Sequence, residues 1–303
     1  MIYWITVNYY STELIQRLID SIVVETFHGI VETRHGTSLQ GINYQIIIIN
    51  NSPDDHSIYQ LKSPSILILD SPENIGFGRA CNIGLNSVYQ QDPQALVWLI
   101  NPDAYLSKNA LSQAVDFFER YPELSILGTV IYKSTGELEF TRGEFNPKIG
   151  KIIVSNTVSE SLQNQPYQLT EWVSGCSLLI NLKNFNQCPQ FDPNYFLYYE
   201  DFDFCLRYRN QGHQIGITSK IKVFHETSSI THRNPTLKIK YSIYSYLLSL
   251  NKHTSKSVLF YWLLRISFVS LITLLITPQK SQSKLKGVIR FIVRHCLRIT
   301  QLQ

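Results

Sequence analysis

Gln45 to Ser52 reads QIIIINNS, four consecutive isoleucines that break off into two amides and a serine. A run of β-branched residues with no polar alternation is the composition of a strand covered on both faces, as in a parallel sheet. On its N-terminal side, Ile2 to Val7 is a second short apolar run. Between the two, Ser11 is placed to cap a helix carrying Leu14, Leu18, Ile19 and Ile22 on one face. On its C-terminal side, Ile66 to Leu69 and Ala95 to Ile100 (ALVWLI) read as strands, with Gly78 to Tyr89 as the helix between them. Ser107 is expected to cap a further helix through Ala110, Leu111, Ala114, Val115 and Phe118, ending before Pro122. Strand and helix in alternation with short links predict an α/β fold built on a doubly wound, mostly parallel, Rossmann-like sheet. Ligands of such sheets bind beyond the carboxyl ends of the strands.

Farther along, Tyr132 to Thr170 is polar and weakly periodic, so it reads as a functional lid or as small strands that the pattern does not resolve. Trp172 to Ile180 returns to a strand pattern. A helix is expected from Glu200 to Gln211, with Gly212 as a left-handed C-cap. Hydrophobic residues at 44% and charged residues at 17% of 303 exclude a disordered chain. Five cysteines, odd in number and without CxxC spacing, exclude a disulfide framework or zinc ribbon and suit free thiols in a reducing compartment. The N-terminus enters its first strand without a basic segment or cleavage site, so no signal peptide is expected and the folded body is placed in the cytoplasm.

The net charge of +4 conceals a division at Glu226, the last acidic residue. Thr227 to Gln303 holds 12 Lys or Arg and no acid, whereas the preceding residues hold 15 basic against 23 acidic side chains. An acidic body of residues 1–226 followed by a basic helical region, 227–303, predicts that the tail meets an anionic surface. Within the tail, Val258 to Ile276 is mostly apolar but interrupted by Arg265. A mid-span Arg costs roughly 2.5–3.5 kcal/mol, which favours an interfacial hairpin over a transmembrane span. Lys286, Arg290, Arg294 and Arg298 recur every four residues, with Leu285, Ile289, Ile292, Cys296 and Ile299 filling the remaining positions. That is the pattern of a basic amphipathic helix lying in a membrane interface; packing on its own domain or on a second subunit, as in a homodimer, is the alternative. The acidic body disfavours a nucleic-acid partner.

Four segments fall at strand ends: TVNYY at 6–10, INNS at 49–52, LINPD at 99–103, and YYEDFD at 198–203, which opens the late helix. An Asp after a buried strand, as Asp103 is, suits a hard divalent cation wanting oxygen ligands. Glu200, Asp201 and Asp203 sit where the helix dipole favours acids, either as ordinary caps or as a general base. Taken singly these signals are weak; their order and spacing are not. The stretches TVNYYS, IIIINNSPDD, ENIGFGRACNIGL, LINPDAYLS, WVSGCSLLI, FDPNYFLYYEDFDFCLRYRNQGHQIG and KVFHE run in one order from residue 5 to 226. In this the sequence resembles the family 2 glycosyltransferases of GT-A fold, and in particular their bacterial rhamnosyltransferase-like branch.

The resemblance implies a role for each matching position. Asn8 and Tyr9 fall at the nucleobase pocket, Tyr9 as a wall. Asn50 and Asn51 stand where the family usually has Asp-Asn, so Asn50 replaces the acid that contacts the base. Asn74, Gly76, Arg79 and Asn82 match the motif near base and phosphates. Asp103 matches the last Asp of the metal-binding DxD motif, with Asn101 in place of the first. Asp201 matches the catalytic base, Trp172, Gly175 and Glu200 the acceptor side, and His225 a histidine that completes the metal coordination in some relatives. The implied chemistry is a single, inverting displacement. Asp201 would deprotonate an acceptor hydroxyl, and a divalent metal, Mg²⁺ or Mn²⁺, would stabilise the leaving nucleoside diphosphate. The implied partners are a dTDP-, UDP- or GDP-sugar and a glycan or lipid-linked acceptor, met at the inner face of the cell membrane. A nucleotidyltransferase would instead want a Gly-rich phosphate loop after the first strand, and a non-catalytic module of the same fold would be expected to lose Asp103 or Asp201.

Overall fold

The computed structural model describes residues 1–31, 43–226 and 235–295, with residues 23–31 described by their backbone alone. Its first half is the expected alternation: β1 (Ile2–Asn8), α1 (Thr12–Val31), β2 (Tyr44–Asn50), β3 (Ile66–Asp70), α2 (Phe77–Gln91) and β4 (Leu96–Ile100). These four strands are parallel, in the order β4, β1, β2, β3. The isoleucines of β2 pair with β1 on one side and β3 on the other, and all four are almost fully buried. Trp4 and Trp98, opposite each other on β1 and β4, stack at 4.4 Å.

The second half is where the sheet becomes mixed. β5 (Ala104–Leu106), α3 (Ala110–Arg120), β6 (Leu124–Lys133), β7 (Leu138–Phe140), β8 (Arg142–Asn146) and β9 (Lys151–Ser155) lead to α4 (Glu160–Asn164) and β10 (Gln168–Leu169). They are followed by β11 (Ser177–Asn181), α5 (Glu200–Asn210) and β12 (Gln214–His225). β11 inserts antiparallel between β4 and β6, and β12 then runs parallel to β6.

Several boundaries differ from expectation for identifiable reasons. Ser107 does not cap α3: Asn109, in the left-handed region at φ 64°, precedes a helix that opens at Ala110. Trp172 to Cys176 stays outside β11, because Trp172 bridges to Gly143 and the residues after it bend toward α5. The stretch 132–170 is small strands after all, chiefly the β8–β9 hairpin, whose register from Arg142↔Ser155 to Asn146↔Lys151 forms a separate two-stranded sheet.

The tail folds into α6 (Pro235–His253), α7 (Lys256–Ile272) and α8 (Pro278–His295) around a second hydrophobic cluster. That cluster includes Tyr195 from the body, so the helical unit shares its core with the residues before α5. No helix among the described residues is long and apolar enough to cross a membrane. Arg290, expected in the basic stripe, instead lies over the rings of Tyr241 and Tyr244 at 5.2 and 5.4 Å. Arg298, Cys296 and Ile299 lie outside the described residues.

Candidate active site

At the carboxyl ends of β1 and β2, buried amides tie the strands together. Asn8 Nδ2 donates to Asn50 Oδ1 (3.1 Å) and to Asp55 Oδ2 (3.1 Å), while its Oδ1 accepts from the Ser11 backbone (2.9 Å). Asn50 Nδ2 donates in turn to Asp70 Oδ1 (3.0 Å) at the end of β3, which also accepts from the Tyr59 hydroxyl (2.6 Å). Asn8 and Asn50 are fully buried, and buried amides so paired organise the strand ends. Asp70, the carboxylate paired with Asn50, is exposed. Asn51 holds the next turn, donating to Asn74 Oδ1 (3.1 Å) and accepting from the Ile75 backbone (3.0 Å). Tyr9 is exposed at this edge, edge-on to Tyr10, whose hydroxyl reaches Asp54 at 2.6 Å.

Helix α2 starts where the backbone approach permits only glycine. Gly76 has φ 87°, and a Cβ there would meet the Phe196 carbonyl oxygen at 2.2 Å. Asn82 clamps the same loop, donating to the Phe191 carbonyl (2.9 Å) and accepting from its N–H (2.7 Å). Its amide is thereby spent on the fold. Arg79 is exposed, with Nε on the Pro193 carbonyl at 2.6 Å.

At the far side, Asp103 is 7% exposed, and its Oδ1 lies 3.2 Å from Nε2 of His225, the last residue of β12. The pairing of β5 with β12 sets this distance, with His225 opposite Ala104. His225 Nδ1 is held by Glu139 on β7 at 3.0 Å. Burial opposes a charge on the imidazole, but the Cys176 sulfur and the carboxylates of Asp103 and Glu139 outweigh it and hold the pKa well above the ordinary range. Glu139 and Cys176 escaped the sequence reading. Only the alternation Leu138-Glu139-Phe140 hinted at a short strand with one polar face.

Asp201 stands at the start of α5. Its two carboxylate oxygens accept from the Gly175 N–H (2.9 Å) and the Phe202 N–H (2.8 Å). Burial raises its pKa, partly offset by these two donors. Beside it, Glu200 is buried with Oε2 lacking a hydrogen-bond partner, and burial together with the Asp201 charge pushes its pKa up as well. Burial thus favours the neutral carboxyl at Glu200 more strongly than at Asp201, whose charge the Gly175 and Phe202 N–H groups support. Both preceding residues, Tyr198 (φ 70°) and Tyr199 (φ 63°), adopt the left-handed region, which costs on the order of 1–3 kcal/mol each. No sequence pattern announces this strained approach to the acid pair. Trp172 lies under it as packing, 5.9 Å from the Phe202 ring, with its indole N–H toward the Glu144 carbonyl.

One short segment joins the two acidic centres. Gly175 donates to Asp201, while Cys176 accepts from the Asn101 N–H (2.9 Å) and lies beside His225. A Cβ at Gly175 would come within 3.3 Å of the Asp201 Cβ, so only a small residue allows this approach.

Comparison with known proteins follows the same outline. The family model for glycosyl transferase family 2 matches residues 4–181. The N-acetylglucosaminyl-diphospho-decaprenol L-rhamnosyltransferase of Mycobacterium tuberculosis is 25% identical over 191 residues, 57% of this chain and 62% of that protein. The low-salt glycan biosynthesis hexosyltransferase Agl10 of Haloferax volcanii is 21% identical over 183 residues, 60% of this chain and 58% of that one. Each match spans less than two thirds of the relative's own length. Among solved structures, GalNAc-T7 with UDP, GalNAc and Mn²⁺ superposes with a TM-score of 0.59 at 11% identity, covering all of this chain and 57% of that one. That likeness gives the fold, a GT-A sheet with a helical C-terminal region. With more than half of its length under the family model, the chain belongs to glycosyl transferase family 2.

Proposed function

We propose that the chain moves a hexose, with rhamnose favoured by the resemblance, from a dTDP-, UDP- or GDP-sugar to a hydroxyl of a glycan or lipid-linked acceptor in cell-surface polysaccharide synthesis. The acceptor is met at the inner face of the cell membrane, and the anomeric configuration inverts. The observation that carries the reading is the 175–176 segment, which sets Asp201 beside the Asp103–His225 pair. Asp201 takes the proton of the acceptor hydroxyl as that oxygen attacks the anomeric carbon, and the donor's C–O bond to the diphosphate breaks on the opposite face. Burial and the Asp201 charge favour a neutral Glu200, which supports Asp201 as a lone base and a single displacement over a glycosyl–enzyme intermediate. Exposed Tyr9 offers a face for the base, and Asp70 supplies the carboxylate that Asn50 lacks.

Asp103 and His225 offer two donors to a divalent metal, His225 once its Nε2 proton has left, and among the described residues no group of three or more acidic, His or Cys side chains is arranged to hold one. Cis ligands of an octahedral ion at about 2.1 Å lie about 3 Å apart, and the 3.2 Å between Asp103 Oδ1 and His225 Nε2 is close to that. Asp103 and His225 would hold Mg²⁺ or Mn²⁺, which would offset charge on the departing diphosphate. Glu139 fixes the ring so that Nε2 faces Asp103.

The reading is tested by nucleoside diphosphate release from a panel of sugar nucleotides, followed by NMR of the product anomer. Release confined to one donor with an inverted product is expected; retention would overturn the displacement. Addition of EDTA is expected to abolish release and Mn²⁺ or Mg²⁺ to restore it, so full activity in EDTA removes the metal from the reading. Glu139→Gln should raise the metal concentration for half-maximal rate about 10–100-fold with an unchanged melting temperature.

A further inference from the structure

We infer that the exposed face of α7, with the basic rim of α8, docks on an anionic lipid surface and holds the catalytic cleft against it. The inference deepens the reading above by naming the partner, and it rests on that reading only for the acceptor. Helix α7 is apolar all round but packs on one side only. Phe260, Leu264, Phe268 and Leu271 follow one another on α7 at three- and four-residue spacing, with Leu275 in the turn after it, each between 55% and 94% exposed. A stripe of this size on a soluble surface marks a contact with a partner or a membrane.

Charge decides which. Lys256 and Arg265 on α7 and Lys280, Lys286 and Arg294 on α8 are exposed, and no acidic residue follows Glu226. A second copy would bring the same basic rim against itself with nothing in either segment to pair it. Anionic headgroups pair it directly, and acyl chains accept the apolar stripe. Arg265, which interrupts the apolar run in sequence, lies over the Trp262 ring at 4.7 Å, so its charge can stay at headgroup level.

The face also leads to the site. Trp262 donates to the Ile149 carbonyl (2.8 Å) at the tip of the β8–β9 turn, and Ile149 itself is exposed. The Trp262 ring meets Tyr246 at 5.4 Å, and Tyr246 meets Tyr199 at 5.8 Å, two residues before Asp201. The apolar surface therefore ends a few side chains from the base. An acceptor with a lipid tail can keep that tail in the bilayer while its sugar hydroxyl reaches Asp201.

Co-sedimentation of the full chain with phosphatidylcholine vesicles, with and without phosphatidylglycerol, tests this. Binding is expected chiefly to the anionic vesicles and should weaken with salt. Phe260→Ser with Phe268→Ser should weaken it at least about tenfold. Lys280→Gln, Lys286→Gln and Arg294→Gln together should weaken it about a hundredfold. Both sets should leave the melting temperature and its shift by sugar nucleotides unchanged. A chain that stays in the supernatant with anionic vesicles overturns the inference. So does a dimer in sedimentation velocity that the phenylalanine variant breaks while vesicle binding is unchanged. Vesicle binding with no response to any sugar nucleotide would support the surface and remove the donor reading instead.

Discussion

Asp201→Asn is expected to lower the rate of transfer by about 10²–10⁴, the contribution of a positioned general base, with donor binding and fold retained. The two oxygens of Asp201 each accept a backbone N–H, from Gly175 and Phe202. Asparagine can satisfy only one of them, so a melting curve and a nucleotide-induced shift belong beside the rate. Asp201→Ala, which removes both acceptors without placing an amine against an N–H, controls for that mismatch. The pH profile carries a second signature. Burial raises the Asp201 pKa, so the rate of the unaltered enzyme should rise with pH above the ordinary carboxylate range as the base loses its proton. The residual rate of Asp201→Asn should lose that limb. Near-normal transfer by a folded Asp201→Asn protein would remove Asp201 from the role.

The other large effect is on stability. Asp203, two residues farther along α5, is fully buried and surrounded by cations. Arg207 Nε lies at 2.7 Å, Lys252 Nζ at 2.5 Å and His253 Nε2 at 2.8 Å. The last two come from α6, so one carboxylate fastens the helical unit to α5. Burial opposes the charge, but His253, Arg207 and Lys252 overcome it and hold the pKa at about 2. A depressed folded-state pKa gives stability that is complete above the unfolded value of about 3.9 and is lost as pH falls through about 2. Asp203→Asn takes the shared counter-charge from Arg207 and His253 and leaves Lys252 only Asp192, at 2.7 Å, and should cost about 2–3 kcal/mol at neutral pH. Melting should fall by about 3–6 °C, and the gap between the two proteins should close on acidification below about pH 3. Equal melting temperatures at neutral pH would show that the cluster is not a fastening.

The parallel half of the fold was legible because its signals are local. Four isoleucines in a row, a helix face at three- and four-residue spacing, and polar residues at each strand end can be read one segment at a time. The mixed half was not, because β6, β11 and β12 are ordered by pairings between segments far apart in the chain. The short β8 and β9 are stabilised by each other and by Trp172, which a single-segment pattern cannot report. The candidate site divides likewise. Asp201, Asp103 and His225 stand out by residue type and position, and the resemblance names them. Glu139, Cys176 and Asp70 become visible only when β7, β11 and β3 bring them beside those residues. Asn8, Asn50 and Asn82 were legible as positions, whereas the hydrogen bonds their amides make within the fold were not.

The two left-handed tyrosines before α5 carry a consequence for any attempt to harden this protein. Glycine or asparagine at 198 or 199 would relax the backbone at little steric cost, so a screen for heat tolerance alone would tend to collect them. At 199 the change would remove the ring that rests on Tyr246, and at either position it would loosen the turn that leads into Asp201. Robustness and turnover therefore pull in opposite directions at these two positions, and the native sequence sits on the side of turnover.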